Sequence, residues 1–71
     1  MEKETFLIKL GERIRNVRTE KGLTQVELAH LIGKDQQSIQ RIEKGAINPS
    51  IYYLKEISVG LGVPLEGLLK Y

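Results

Sequence analysis

Cysteine is absent from the 71 residues and histidine occurs once. Disulfide stapling and thiolate metal sites are thereby excluded, and stability has to come from apolar packing. Proline occurs only twice, and no Ser-rich or low-complexity tract breaks the chain, so nothing reads as a linker. No apolar run approaches the roughly 20 residues that cross a bilayer. The amino end, Met1-Glu2-Lys3-Glu4, lacks the basic start and apolar stretch of a secretory signal, so the cytoplasm is the expected location. A large excess of one charge is missing too. A net charge of +2 and a pI near 9.0 suit a nucleic-acid partner, and they equally suit many proteins that bind none.

What is present reads as one domain over residues 1–71, since a chain this short buries only about 60% of its unfolded surface and cannot support two cores. The apolar spacing is helical throughout. A first helix is expected from Thr5 to Lys21, with Phe6, Leu10, Ile14 and Val17 as its core stripe and Gly22 as its stop. Thr24 opens a second helix as N-cap, with Glu27 completing a capping box and Leu28, Leu31 and Ile32 facing inward. Asp35 caps a third helix that ends at Gly45, with Ile39 and Ile42 buried. After the Asn48-Pro49-Ser50 turn, Ser50 caps a fourth helix carrying Ile51, Leu54, Ile57 and Leu61, ended by Gly60 or Gly62. Val63-Pro64 then leads into a short fifth helix from Leu65 to about Lys70. No stretch alternates with period two, so the expected fold is an all-α, five-helix bundle.

The informative segment is Gln25 to Glu43, where two short helices meet through a turn at Gly33. Ala29 is small where the next helix crosses, Gly33 suits the left-handed backbone of such a turn, and Ile39 and Ile42 lock the second helix onto the first. That leaves Gln36, Gln37, Ser38, Gln40 and Arg41 on an outward face. A face needing only solubility is as well served by Lys and Glu. Gln pairs in bidentate fashion with adenine N6 and N7, and Arg with guanine O6 and N7, so this face fits the base edges of a major groove. Upstream, Lys9, Arg13, Arg15, Arg18 and Lys21 outnumber Glu12 and Glu20. That cluster reads either as a solvated helix face or as a phosphate-facing patch.

The run Leu23-Thr24-Gln25-Val26-Glu27-Leu28-Ala29, with Gly33, Ile39, Ile42-Glu43-Lys44-Gly45 and Asn48-Pro49-Ser50, resembles the lambda-repressor and Cro-like helix-turn-helix family, also called the XRE family. The resemblance spans Leu10 to about Leu69 and implies sequence-specific binding to double-stranded DNA by a small transcriptional regulator, a repressor or a controller. It implies that Gln25 bonds a phosphate and braces Gln36, and that Lys44 and Asn48 lie along the DNA backbone. Ala46, at a further loop position, offers no side-chain contact. Amides near Ser50 are implied to meet a phosphate. Arg18 and Glu43 match positions that form an ion pair beneath the recognition helix. Dimer contacts are implied at Val63, Leu65, Leu68, Leu69 and Tyr71, giving a homodimer on a palindromic operator.

Other classes find less support. Glu27 and His30 have the spacing of a bundle metal site, but a second such pair needs a second histidine. No cofactor, effector, Ser/His/Asp set or phosphate-cradling glycine loop is visible, so an enzyme is not expected. An antitoxin or another interaction module on the same fold, a restriction-modification controller, and the detached DNA-binding end of a longer regulator all remain compatible. Of the adjacent Tyr52 and Tyr53, one is expected to pack and one to face solvent.

Overall fold

Local hydrogen bonding sets the boundaries of the helices in the computed structural model, which describes residues 1–70. Helix α1 covers Lys3–Glu20, α2 Gln25–Ile32, α3 Gln36–Glu43 and α4 Ile51–Leu61. At the start of α2, Thr24 Oγ1 accepts from the Glu27 amide at 3.0 Å while Glu27 Oε1 accepts from the Thr24 amide at 2.8 Å, a reciprocal box that satisfies two orphan donors. Asp35 Oδ1 accepts from the Ser38 amide at 2.7 Å, and Ser50 Oγ accepts from the Tyr53 amide at 3.0 Å. Gly33, at φ 69°, turns the chain between α2 and α3, and the Lys34 amide closes back on the Ala29 carbonyl at 2.9 Å. An L side chain at that φ is strained.

The fold departs from the five-helix expectation. The last element, Leu65–Leu69, is a 3₁₀ turn, so there are four α-helices and a terminal turn, with no strand among the described residues. α1 begins at Lys3 and ends at Glu20 rather than running from Thr5 to Lys21. Gly62, at φ 69°, ends α4, whereas Gly60 lies inside it. A Cβ at Gly60 would stand 2.6 Å from Ile32 Cγ2, so the glycine is there for packing.

The core joins Leu10, Ile14 and Val17 of α1, Leu28 and Ala29 of α2, Ile39 and Ile42 of α3, Leu54, Ile57 and Leu61 of α4, and Leu68. Of the expected stripes, Ile32 is half-buried against this core and three residues, Phe6, Leu31 and Ile51, are exposed. Leu31 is 62% exposed. It and Ile32 straddle the direction of Leu28 on the helical wheel, and of the two only Ile32 packs against the core. Ile51, 65% exposed, is the first residue of α4, where no further turn shields it. Phe6, on the first turns of α1, is 40% exposed.

α1 packs on α3 and on the terminal turn, α2 packs on α3 and α4, and the turn closes against α4. Arg13 Nε donates to the Gly67 carbonyl at 2.8 Å, tying that turn to α1. The α1–α3 crossing is a backbone contact: a Cβ on Gly11 would lie 2.5 Å from the carbonyl oxygens of Ile42 and Glu43. This approach brings Arg18, two turns further along the same face of α1, over the end of α3. No helix of the described residues is long and apolar enough to cross a membrane.

Candidate nucleic-acid interface

A chain of polar side chains runs under α3 from its last residue to its first. Glu43 and Arg18 form a two-point ion pair, with Arg18 Nε donating to Oε2 at 2.6 Å and Nη2 to Oε1 at 3.0 Å. Nη1 donates to the Leu23 carbonyl at 2.7 Å. The two side chains are 10% and 3% exposed, so each charge depends on the other. The hydrogen bond to Glu43 holds the Arg18 guanidinium above its ordinary pKa, against the opposing effect of burial. Gln25 Nε2 donates to Glu43 Oε1 at 2.9 Å, and Gln36 Nε2 donates to Gln25 Oε1 at 2.7 Å.

The direction of every bond in this relay follows from the carboxylate. Glu43 only accepts, so Gln25 must turn its NH₂ toward it and its carbonyl toward Gln36. Gln36 must then give one N–H to Gln25. What Gln36 keeps for a ligand is its carbonyl oxygen and its other N–H, side by side on the edge of one amide. That edge is complementary to adenine N6 and N7.

The remaining candidates fall into two groups around this relay. Gln37 and Arg41 are exposed and Gln40 is half-buried, and none of the three makes a side-chain hydrogen bond among the described residues. Gln40 shares a shallow depression with Arg15, Arg18, Gln25, Glu43 and Lys44. Lys44 and Asn48 are exposed in and before the loop to α4. Ser50 is exposed as well; its hydroxyl oxygen accepts from the Tyr53 amide, so the hydroxyl proton and the backbone amides are its means of meeting a phosphate. Ser38 differs from its neighbours. It is half-buried and its hydroxyl is already bonded to the Asp35 carbonyl and the Tyr53 hydroxyl.

Arg15 and Tyr53 belong to this surface although the sequence does not mark either as a site residue. Arg15 was visible only as one of a basic cluster, and its place beside Lys44 depends on the α1–α3 crossing. Nothing in the sequence links Tyr53 to Ser38. Of the residues assigned to dimer contacts, Leu68, within the terminal turn, is fully buried and has no surface to offer a partner. Leu69 is 41% exposed, Val63 and Leu65 are half-buried against the core, and Tyr71 lies outside the described residues. The Glu27 carboxylate caps Thr24, and the described residues contain no group of three or more metal-ligating side chains.

A helix-turn-helix family model, HTH_3, matches residues 14–68. An uncharacterized HTH-type transcriptional regulator, y4dJ, of Sinorhizobium fredii is 39% identical over 54 residues, covering 76% of this chain and 70% of that protein. Several other curated relatives are longer, and the chain spans 41–56% of their length. Among solved structures, the restriction-modification controller protein C.AhdI of Aeromonas hydrophila superposes with a TM-score of 0.86 at 35% identity, over 87% of this chain and 94% of that one. The controller C.Esp1396I, solved as a tetramer in complex with its natural 35 base-pair operator, superposes with a TM-score of 0.79 at 33% identity, over 92% and 96%.

Proposed function

Because the chain belongs to the XRE (lambda-repressor and Cro-like) helix-turn-helix family, we propose that it is a transcriptional regulator that binds double-stranded DNA sequence-specifically, with α3 in the major groove. The observation that carries this is the relay from Arg18 through Glu43 and Gln25 to Gln36. A solvent-facing glutamine has no need of a buried ion pair and a half-buried glutamine to orient its amide, whereas one that reads a base gains discrimination from being held before DNA arrives.

In this reading Gln36 and Gln37 lead into the groove and read A·T pairs, Gln40 and Arg41 follow on the next turn, and Gln25 meets a phosphate while bracing Gln36. Lys44, Asn48, the amides near Ser50 and, in addition, Arg15 line the DNA backbone. The reading is one of binding, not of a chemical reaction, and such a regulator works in the cytoplasm alongside the DNA. One short reading helix makes too few contacts for tight specific binding. A two-fold dimer places two of them about 34 Å apart on a palindrome. Leu69, with the half-buried Val63 and Leu65, is the apolar surface available for that contact; Leu68 is not part of it.

Selection of bound sites from random duplex DNA tests the proposal. The expected result is an enriched palindromic motif with half-site centres about 10–10.5 base pairs apart or a multiple of that. Sedimentation on that site should give two chains per duplex. Failure to enrich any motif, or a persistent 1:1 complex at saturating protein, overturns respectively the sequence-reading and the dimer parts.

A further inference from the structure

A glutamine amide can meet a base in two orientations, and the polar chain beneath α3 permits Gln36 only one. Glu43 receives two N–H groups from Arg18, one on each oxygen, and as a carboxylate it has no proton to return. The Gln25 group 2.9 Å from Glu43 Oε1 is therefore the NH₂, which turns the Gln25 carbonyl toward Gln36 at 2.7 Å. Turning Gln36 over would set its carbonyl against that of Gln25, two acceptors with no proton between them. Both glutamines are half-buried and the Glu43 side chain is 3% exposed, so little water reaches the chain to relieve such a clash. The polarity of the whole chain is set at Glu43, at the far end of α3 from Gln36.

We propose that Glu43 is a positioning residue for base recognition, acting through Gln25: its carboxylate fixes the orientation of the Gln36 amide so that Gln36 accepts adenine and rejects guanine. This rests on α3 entering the major groove. The two purines share the N7 acceptor there and differ beside it, where adenine carries the N6 amine and guanine the O6 oxygen. The fixed amide offers a carbonyl and one N–H. On adenine the N–H meets N7 and the carbonyl meets the N6 amine. On guanine the carbonyl faces O6, acceptor against acceptor, and no rotation relieves this without breaking the bond to Gln25. An amide free to turn over presents its NH₂ to O6 instead and meets guanine without the clash. Glu43 thus decides between two bases while touching neither.

Arg18→Met combined with Glu43→Leu removes the carboxylate without stranding a charge, a change that buried ion pairs often tolerate. Site selection from random duplex DNA, run with and without Gln36→Ala, identifies the position that Gln36 reads. There the unaltered chain should prefer adenine over guanine by about tenfold or more. In the double variant that preference should shrink to about twofold, while the other positions keep theirs. Gln25→Ala cuts the chain and leaves the ion pair whole; it should lose the preference to the same extent, and it carries the test if the double variant does not fold. Arg18→Lys leaves the carboxylate in place and should keep the preference. A second measurement isolates the atoms. Hypoxanthine paired with cytosine puts O6 and N7 in the major groove as guanine does, without the minor-groove amine of guanine. In place of the preferred adenine it should weaken binding about tenfold for the unaltered chain and about twofold or less for the double variant. An adenine preference undiminished in the double variant or in Gln25→Ala, a preference lost in Arg18→Lys, or a hypoxanthine penalty equal for both proteins overturns the role of Glu43. A motif with no position that responds to Gln36→Ala overturns it too, by removing Gln36 from base reading. If the unaltered chain enriches no motif at all, the DNA-reading assignment itself fails, and this inference with it.

Discussion

Replacing Arg18 by methionine tests the relay at its buried end. Methionine keeps most of the aliphatic stem that packs beneath α3, so lost packing is a small part of the effect. What goes is the guanidinium with its three hydrogen bonds, two to Glu43 and one to the Leu23 carbonyl. Glu43, 3% exposed in its side chain, then keeps only the Gln25 amide as a donor. Stranding a buried charge costs about 3–5 kcal/mol, against about 0–1 for breaking an exposed pair. Because Gln25 still solvates one carboxylate oxygen, the low end applies, about 3 kcal/mol. A domain of this length has only about 4–11 kcal/mol in total, and Tm should fall by about 12–24 °C. Urea denaturation monitored by far-UV circular dichroism measures the loss. Adding Glu43→Leu should return stability to within about 1 kcal/mol of the unaltered chain, since it removes the stranded charge. A loss below about 0.5 kcal/mol for Arg18→Met, in the range of an exposed bridge, or a double variant no more stable than the single one, refutes the reasoning.

Gln36→Ala should weaken binding to the selected site by about 1–3 kcal/mol and to random duplex DNA far less; equal losses in a filter or fluorescence titration would remove it from base reading. Lys44→Ala should weaken both alike and reduce the slope of log affinity against log salt by about one, and an unchanged slope would take Lys44 out of the phosphate set. Gly11→Ala forces a Cβ against two carbonyl oxygens that cannot rotate away; after the gain in helix propensity it should destabilise by about 2 kcal/mol or more, and a neutral result would contradict the α1–α3 backbone contact. The Glu27 carboxylate is held below its ordinary value of 4.5 by the Thr24 backbone amide and hydroxyl, so its stabilising effect is present above that pH and lost as pH falls through the lower folded-state value. The gap in urea midpoint between the unaltered chain and Glu27→Ala should therefore close in acid, and a gap independent of pH would contradict the capping box.

The sequence by itself determined where α2, α3 and α4 begin and where α2 turns into α3, because those signals are local. Thr24 with Glu27, Asp35 with Ser38, and Ser50 with Tyr53 each act within one helical turn, and Gly33 acts through its own φ. The turn between α2 and α3, and a glutamine-rich face on α3, were legible for that reason. Tertiary structure decided what depends on residues far apart in the chain. A repeat of 3.6 residues marks a helical face but not how much of it a neighbour covers, so Leu31, Ile51 and Phe6 share the spacing of core residues and remain outside the core. Leu68 and Leu69 are alike as sequence, and only the docking of the terminal turn buries the first and leaves the second at the surface. The relay to Gln36 and the bond between Ser38 and Tyr53 join side chains from different helices. Their partners are chosen by helix crossings, one of them closed to backbone contact at Gly11, and a crossing is set by packing over the whole core rather than by neighbours in sequence.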